Sequence, residues 1–405
     1  MGCDSSRCVS RHRHVVLLNG QSGRFVLYLV RSSNSESASF SPTYDVARQR
    51  FLEAARNVRA QTASYPIDQV GPTGESLSVD VAWVGAREPT QAVVVTSGLH
   101  GVEGFFGSAV QLAWLSRLAS GEVDLLPRTT VVLVHAVNPF GFAWRRRTDS
   151  RNVDLNRNFV DRLVGEKYFG TPDGYGHVRK FLAPPTVPSR LSYPTFRVYA
   201  AWLIARYGAE ILRTAVAAGQ YEDQNGLFFG GYVPSESTAI MQSHFWPWTR
   251  GAKAVVHLDL HTGLGAFADY QLFVEQPHAR HLQWYWTHFD YERVVSVAEQ
   301  GQYYAQGVMG AWLARHSPVE YRFSCLEIGT HPMIRVLAAL REENRLHHYG
   351  SPETAVHSRV KKEFLECFCP QSHLWRRKAT RCALDVLRQA VTASARLARG
   401  TRSGD

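Results

Sequence analysis

Ala92-Val93-Val94-Val95-Thr96-Ser97-Gly98-Leu99-His100-Gly101-Val102-Glu103-Gly104 is the stretch whose reading decides the fold. Its first five residues form a short apolar, β-branched run that reads as a buried strand. From Phe105 to Leu115 the apolar positions recur at helical spacing. His100 and Glu103 therefore stand at the C-terminal end of a strand, on the turn into a helix. In open α/β sheets that edge is where ligands bind. Glycines 98, 101 and 104 let the backbone turn tightly there. An imidazole and a carboxylate three residues apart can point at one ion, and both are good zinc ligands. The same pattern also describes an ordinary polar turn. A third ligand and a base must come from elsewhere in the chain.

The chain has 405 residues, 45% of them hydrophobic, enough for a large core. No run of about 18 or more apolar residues predicts a spanning helix, and the N-terminus lacks the order of a secretory signal. The six cysteines (3, 8, 325, 367, 369 and 382) form no C-x-x-C pair and no disulfide framework. That usage predicts a reducing, cytoplasmic setting. The net charge of +10 raises the question of nucleic acid. Much of the excess lies near the ends, from Arg7 to Arg13 and from Arg376 to Arg402, without an aromatic-interleaved platform. Solvated basic ends are the reading, with neither nucleic acid nor membrane as partner. Met1-Gly2-Cys3-Asp4-Ser5-Ser6 formally fits an acylation motif. The oligomeric state is not legible.

Outward from the opening stretch, residues 1–40 are Ser- and Arg-rich and read as a poorly ordered leader. Tyr44 to Ala60 predicts a helix and Leu77 to Val84 a strand. Thr129 to His135 predicts another strand, so strand, helix and strand form a right-handed βαβ unit. Residues 161–235, richer in Pro, Gly and Tyr, read as an insertion over the ligand edge, with a helix from Phe196 to Ala218. Ala254 to Leu260, Gln271 to Val274 and Tyr321 to Leu326 predict further strands. Trp375 to Leu397 predicts a terminal amphipathic helix. The expected fold is α/β, a mixed, mostly parallel sheet flanked by helices, in one domain over residues 40–398.

Three further segments carry chemistry. Asn138-Pro139-Phe140-Gly141 is a turn at the edge where the strand to His135 ends, and it leads through Arg145, Arg146, Arg147 and Arg151 to Asn152-Val153-Asp154-Leu155-Asn156-Arg157-Asn158-Phe159. Arg157 beside Asn156 makes a fork-shaped carboxylate reader with an amide next to it. In His257-Leu258-Asp259-Leu260-His261 the two histidines share a strand face. His261, at the strand's end, is the freer to reach an ion, and His257 reads as a core histidine. Glu327 ends the late strand before Gly329 and is a candidate general base.

In this order, these segments resemble the zinc carboxypeptidase A superfamily. Gly-x-His-Gly-x-Glu at 98–103, Asp-Leu-Asn-Arg-x-Phe at 154–159 and Asp-Leu-His at 259–261 are similar to its succinylglutamate desuccinylase and aspartoacylase branch. Ser97 to Gly104, Asn152 to Phe159, His261 to Gly265 and Gly219-Gln220-Tyr221 resemble, more closely, a poorly characterised bacterial carboxypeptidase-like family. The resemblance covers about residues 40 to 395 and implies the carboxypeptidase/phosphorylase-hydrolase-like sheet. It implies one Zn2+ held by His100, Glu103 and His261, with Glu327 as the base that activates water. It implies that Asn156 and Arg157 hold a substrate carboxylate and that an upstream arginine stabilises the oxyanion. Among Arg145, Arg146, Arg147 and Arg151, Arg147 is favoured. Asp154 falls where the family keeps an acid that accepts a hydrogen bond from the first ligating histidine, as ligating imidazoles commonly require.

The function so implied is a zinc-dependent, metallocarboxypeptidase-type hydrolase, cleaving an amide next to a free carboxylate in a small molecule or peptide. The alternative is an N-acyl amino acid deacylase like the aspartoacylases and desuccinylases. A basic binding protein without the chemistry is a third reading, which a complete set of ligands and base argues against.

Overall fold

The computed structural model describes residues 35–161, 171, 175–189, 191–208, 218–275, 281–296, 305–352 and 354–400. The acylation motif and most of the expected leader lie outside the described residues. Eight strands form one sheet: β1 (Gln61–Val70), β2 (Ser76–Gly85), β3 (Gln91–Ser97), β4 (Thr129–His135), β5 (Ala254–Gly263), β6 (Tyr270–Val274), β7 (Val294–Ser296) and β8 (Glu320–Gly329). Their order is β1-β2-β4-β3-β5-β8-β6-β7. The four central strands, β4, β3, β5 and β8, run parallel. On the flanks β2 is antiparallel to β4 and to β1, and β6 is antiparallel to β8. The sheet is mixed and mostly parallel, flanked by helices.

Every residue of β3, β4 and β5 is buried, as expected of parallel strands covered on both faces. On one face Val93, Val95, Leu133 and Leu258 pack with Phe51, Phe106 and Trp114, and with Trp375 and Leu387 of the terminal helix His373–Gly400. On the other face Val94, Val132 and Val255 pack with Met241, Phe245, Trp312 and Phe323. Helices Tyr175–Leu182 and Ser192–Tyr207 lie within the predicted insertion. They bury Phe181 and Phe196 in a third apolar cluster that reaches Val102, in the turn after β3, and Phe228.

Several boundaries differ from expectation, each for a local reason. β8 runs on to Gly329, because its parallel pairing with β5 continues through His261–Glu327 to Gly263–Gly329. β1 is not expected from sequence: it contains Pro66 and alternates between exposed and half-buried residues, features that belong to an edge strand. The helix expected over 196–218 runs from Ser192 to Tyr207, and Gly208 stops it with φ +85°; residues 209–217 lie outside the described residues. Among the described residues, no helix is long and apolar enough to cross a membrane.

Candidate metal centre

The parallel strands deliver their C-terminal ends to one edge, and the predicted ligands converge there. β3 ends at Ser97, Gly98 turns the chain with φ +63°, and Gly101–Glu103 forms a single 3-10 turn. A side chain at Gly101 would lie 2.1 Å from the backbone of Gly141. Only glycine lets the turn after β4 pack so close. The Gly101 and Val102 N–H groups donate to the Arg147 and Arg146 carbonyls at 3.1 and 2.8 Å. These backbone bonds hold Arg147 beside His100.

His100 Nδ1 lies 3.0 Å from Glu103 Oε1, and His261 Nδ1 lies 2.9 Å from Glu103 Oε2. The two Nδ1 atoms face each other at 3.1 Å. Candidate ligand atoms of His100, Glu103 and His261 all fall within 4.8 Å of one another, and all three residues are buried. With zinc–nitrogen and zinc–oxygen bonds of about 2.0–2.2 Å, ligand atoms of a tetrahedral site stand roughly 3–3.5 Å apart. The donor set and its spacing fit a zinc ion.

The far side of the His261 imidazole meets a carboxylate directly, while that of His100 meets Arg147 with Asp154 just beyond it. His261 Nε2 lies 2.6 Å from Asp259 Oδ2, so the carboxylate accepts the Nε2 proton and leaves Nδ1 free to bind a cation. Thr96 Oγ1 donates to Asp259 Oδ1 at 2.6 Å. His100 Nε2 lies 3.4 Å from Asp154 Oδ1 and 2.7 Å from Arg147 Nη2. Asp154 also accepts from Arg147 Nε at 2.9 Å and from the Asn156 N–H at 3.0 Å. Of the four candidate arginines only Arg147 touches this cluster. Arg146 is buried against Glu343, and Arg151 is exposed.

The electrostatics are those of buried acids balanced by the imidazoles and Arg147. Burial alone would raise Glu103, but the His100 and His261 charges outweigh it and hold the carboxyl at about 2. Burial opposes ionisation of Asp154 too, and Arg147 and His100 overcome it, keeping that carboxyl well below the usual range. Burial works against a charged His261, yet Cys325, Asp259 and Glu103 lift it well above an ordinary histidine. Glu327 sits opposite His261 in the register of β5 and β8. Its Oε1 accepts the Leu264 N–H at 2.8 Å, and burial followed by the Glu103 charge pushes it up to about 8.

Arg157 is buried beside Gly219, its Nη1 donating to the Asn156 carbonyl at 2.7 Å. The Tyr221 hydroxyl donates to the Arg157 carbonyl at 2.6 Å, so the Gly219-Gln220-Tyr221 segment braces this residue. Asn156 is partly committed, its Oδ1 accepting the Met309 N–H at 3.1 Å. His257 lies away from the edge, between Thr96 Oγ1 at 2.9 Å and the Tyr321 hydroxyl at 2.7 Å. Burial pushes it down to about 4, so it is a neutral core histidine. Sequence reasoning missed Asp259 and Cys325. The signal for Asp259 was present, since it precedes His261 by two strand positions and shares its face.

Among solved structures, the chain is similar to thrombin activatable fibrinolysis inhibitor at 12% identity, covering 90% of this chain and 76% of that one with a TM-score of 0.51. Carboxypeptidase A from Helicoverpa armigera (12% identity; 82% and 76% covered; TM-score 0.43) and succinylglutamate desuccinylase from Chromobacterium violaceum (14%; 82% and 76%; TM-score 0.35) are more distant in shape. At these identities what is shared is the fold. No curated protein matches. Residues 40–381 match the family described as "Protein of unknown function (DUF2817)", and the chain belongs to that family.

Proposed function

We propose that this chain is a zinc-dependent amide hydrolase of the metallocarboxypeptidase type, acting on an amide bond next to a free carboxylate. The observation that carries the reading is the convergence of His100, Glu103 and His261 at one sheet edge, with Glu327 opposite His261. When bound, zinc supplies a Lewis acid that polarises the scissile carbonyl and acidifies water. Glu327, with its raised proton affinity, takes the proton of the attacking water and passes it to the leaving nitrogen. Arg147 offers guanidinium N–H groups to the developing oxyanion, a role whose removal costs roughly 3–4 kcal/mol in comparable sites. Arg157, with Asn156 beside it, receives the substrate carboxylate. Asp154 and Asp259 orient the two imidazoles.

One observation favours the N-acyl amino acid deacylase as a second reading. The apolar cluster of helices Tyr175–Leu182 and Ser192–Tyr207 reaches Val102, between two of the ligands. The Arg147 guanidinium lies over the Phe228 ring at 5.5 Å. Walls so near the ligands suit a small acyl group. A screen of zinc-loaded protein on acylated dipeptides and N-acyl amino acids tests both readings. The proposal expects release of a carboxylate-bearing amine from the dipeptides; hydrolysis of N-acyl amino acids alone selects the deacylase, and hydrolysis of neither class rejects both.

A further inference from the structure

Val94, Val132, Val255, Phe245 and Phe323 make one sheet face apolar. A line of polar side chains crosses that face and ends at the candidate metal centre. In β5, His257, Asp259 and His261 share the side of Val255, because side chains alternate along a strand. Thr96 of β3 stands opposite Asp259, and Tyr321 of β8 stands opposite Val255, two residues before His257. From His257 to His261 the strand spans roughly 13 Å. Tyr321, His257, Thr96, Asp259 and His261 are each at most 5% exposed.

The line is continuous. The Tyr321 hydroxyl lies 2.7 Å from His257 Nδ1, and His257 Nε2 lies 2.9 Å from Thr96 Oγ1. Thr96 Oγ1 lies 2.6 Å from Asp259 Oδ1, and Asp259 Oδ2 lies 2.6 Å from His261 Nε2. The protons have one consistent arrangement. A carboxylate only accepts, so Thr96 spends its single O–H on Asp259. The Thr96 oxygen then accepts from His257, whose one N–H stands at Nε2 because burial keeps the ring neutral. His257 Nδ1 accepts the Tyr321 O–H. Every donor on this side points toward Asp259, and the second carboxylate oxygen accepts from His261.

Apolar side chains of similar size would fill these positions without the desolvation cost. The rings of Phe245, Phe323 and Tyr321 already surround His257, with centroids at 4.9, 5.1 and 6.0 Å. A buried polar network in such a setting is costly unless complete, and when complete it fixes one geometry. The geometry fixed here is that of the carboxylate behind His261. Without the Thr96 bond, one Asp259 oxygen would lose its donor and the carboxylate its fixed orientation. The argument for a role at the site rests on the reading of His261 as a metal ligand.

We propose that Thr96, His257 and Tyr321 are positioning residues of the metal centre. Their hydrogen-bond chain holds the Asp259 carboxylate so that His261 keeps its proton on Nε2 and turns Nδ1 to the ion. Two pairs of variants test it: T96V and H257L remove the hydrogen-bonding group, while T96S and H257Q keep one. Zinc affinity is read by chelator competition, and thermal melts confirm folding. T96V and H257L are expected to bind zinc about 10-fold more weakly than wild type, with T96S and H257Q close to wild type. Packing alone predicts the reverse order at position 96, since T96S loses a methyl group and T96V loses none. Nitrogen NMR of metal-free wild type carrying labelled histidine adds a readout that needs no stable variant at position 96. The signals of His257, identified by their absence from H257Q, are expected to place its proton on Nε2. Wild-type zinc affinity in both T96V and H257L, a loss in T96S as large as in T96V, or a His257 proton on Nδ1 each overturns the proposal. Wild type that binds no zinc rejects the metal centre and the proposal together, whereas equal zinc binding by wild type, T96V and H257L rejects the proposal alone.

Discussion

Arg146 and Arg147 are adjacent in the chain and enter two buried charge clusters of different character. Arg146 donates to Glu343 at 3.0 Å and to Asn152 at 2.9 Å, and Lys361 donates to the same Glu343 carboxylate at 2.7 Å. Burial would raise Glu343, but Arg146 and Lys361 outweigh it and hold the carboxyl at about 2. Two cations enclose one acid, and the surplus donors of Lys361 and Arg146 end on the Trp144 and Asp149 carbonyls. Arg147 enters a cluster where acids predominate. Glu103, Asp154, Asp259 and Glu327 surround it and two imidazoles, and Glu327 is pushed up to about 8. The first cluster is closed and its partners match. The second has its acceptors turned inward on a gap of about 3 Å, the spacing of a metal site. A buried network that satisfies itself holds the fold together, while one that needs a further charge is built to bind.

The sharpest way to break this contrast is Glu327→Gln, which keeps shape and removes the proton acceptor. Turnover is expected to fall about 10²–10⁴-fold, the usual contribution of a general base. Zinc content should stay at the wild-type level, because the ligands are untouched. Full turnover in this variant would assign the base elsewhere. His331 is a poor substitute, lying against Arg335 and Glu366.

In the closed cluster, Glu343→Gln leaves Arg146 and Lys361 buried without their acid. The expected loss is about 3–5 kcal/mol of folding stability, measured by chemical denaturation, with zinc affinity of the folded protein unchanged. A variant as stable as wild type, or one that loses zinc first, would erase the distinction between the clusters.

A smaller effect belongs to the acids behind the imidazoles. Asp154→Ala and Asp259→Ala should each weaken zinc affinity about 10–100-fold, read by competition with a chromophoric chelator. The fold should survive, since neither residue closes the Glu343 cluster. Unchanged affinity in both variants would remove these carboxylates from the metal centre.

The pH dependence separates the clusters by sign. Glu343 has a folded value near 2, below its unfolded value of about 4.3. Its contribution to stability is therefore complete above the unfolded value and is lost as pH falls toward the folded one. The stability difference between wild type and Glu343→Gln should narrow between about pH 5 and pH 2. Glu327 is shifted the other way, so in the metal-free protein wild type should lose stability relative to Glu327→Gln as pH rises from about 4 to about 8. A pH-independent gap in either comparison would contradict these assignments.

Much of this was legible in the sequence because it is local. Strand to turn to helix around His100 follows from a β-branched run, three glycines and a helical repeat, and β4 was expected with its observed ends. Parallel central strands put His100, His261 and Glu327 at one edge by topology alone. What escaped depends on pairing between distant segments. β1 escaped although Ala63, Tyr65 and Ile67 alternate with Ser64, Pro66 and Asp68, because Pro66 interrupts the run and belongs to an edge strand. Which arginine would reach the site was open between four positions, and the choice is made by backbone bonds from the Gly101–Val102 turn to the Arg146 and Arg147 carbonyls.

The central claim is that His100, Glu103 and His261 hold one metal ion. Metal analysis of purified wild type after dialysis against trace zinc, alongside His261→Ala, tests it most directly. The account predicts about one zinc per chain in wild type, bound through imidazole nitrogen and carboxylate oxygen by X-ray absorption, and loss of that zinc in the variant. Zinc retained at the same stoichiometry and affinity in His261→Ala, or wild type that binds no divalent metal, would contradict it.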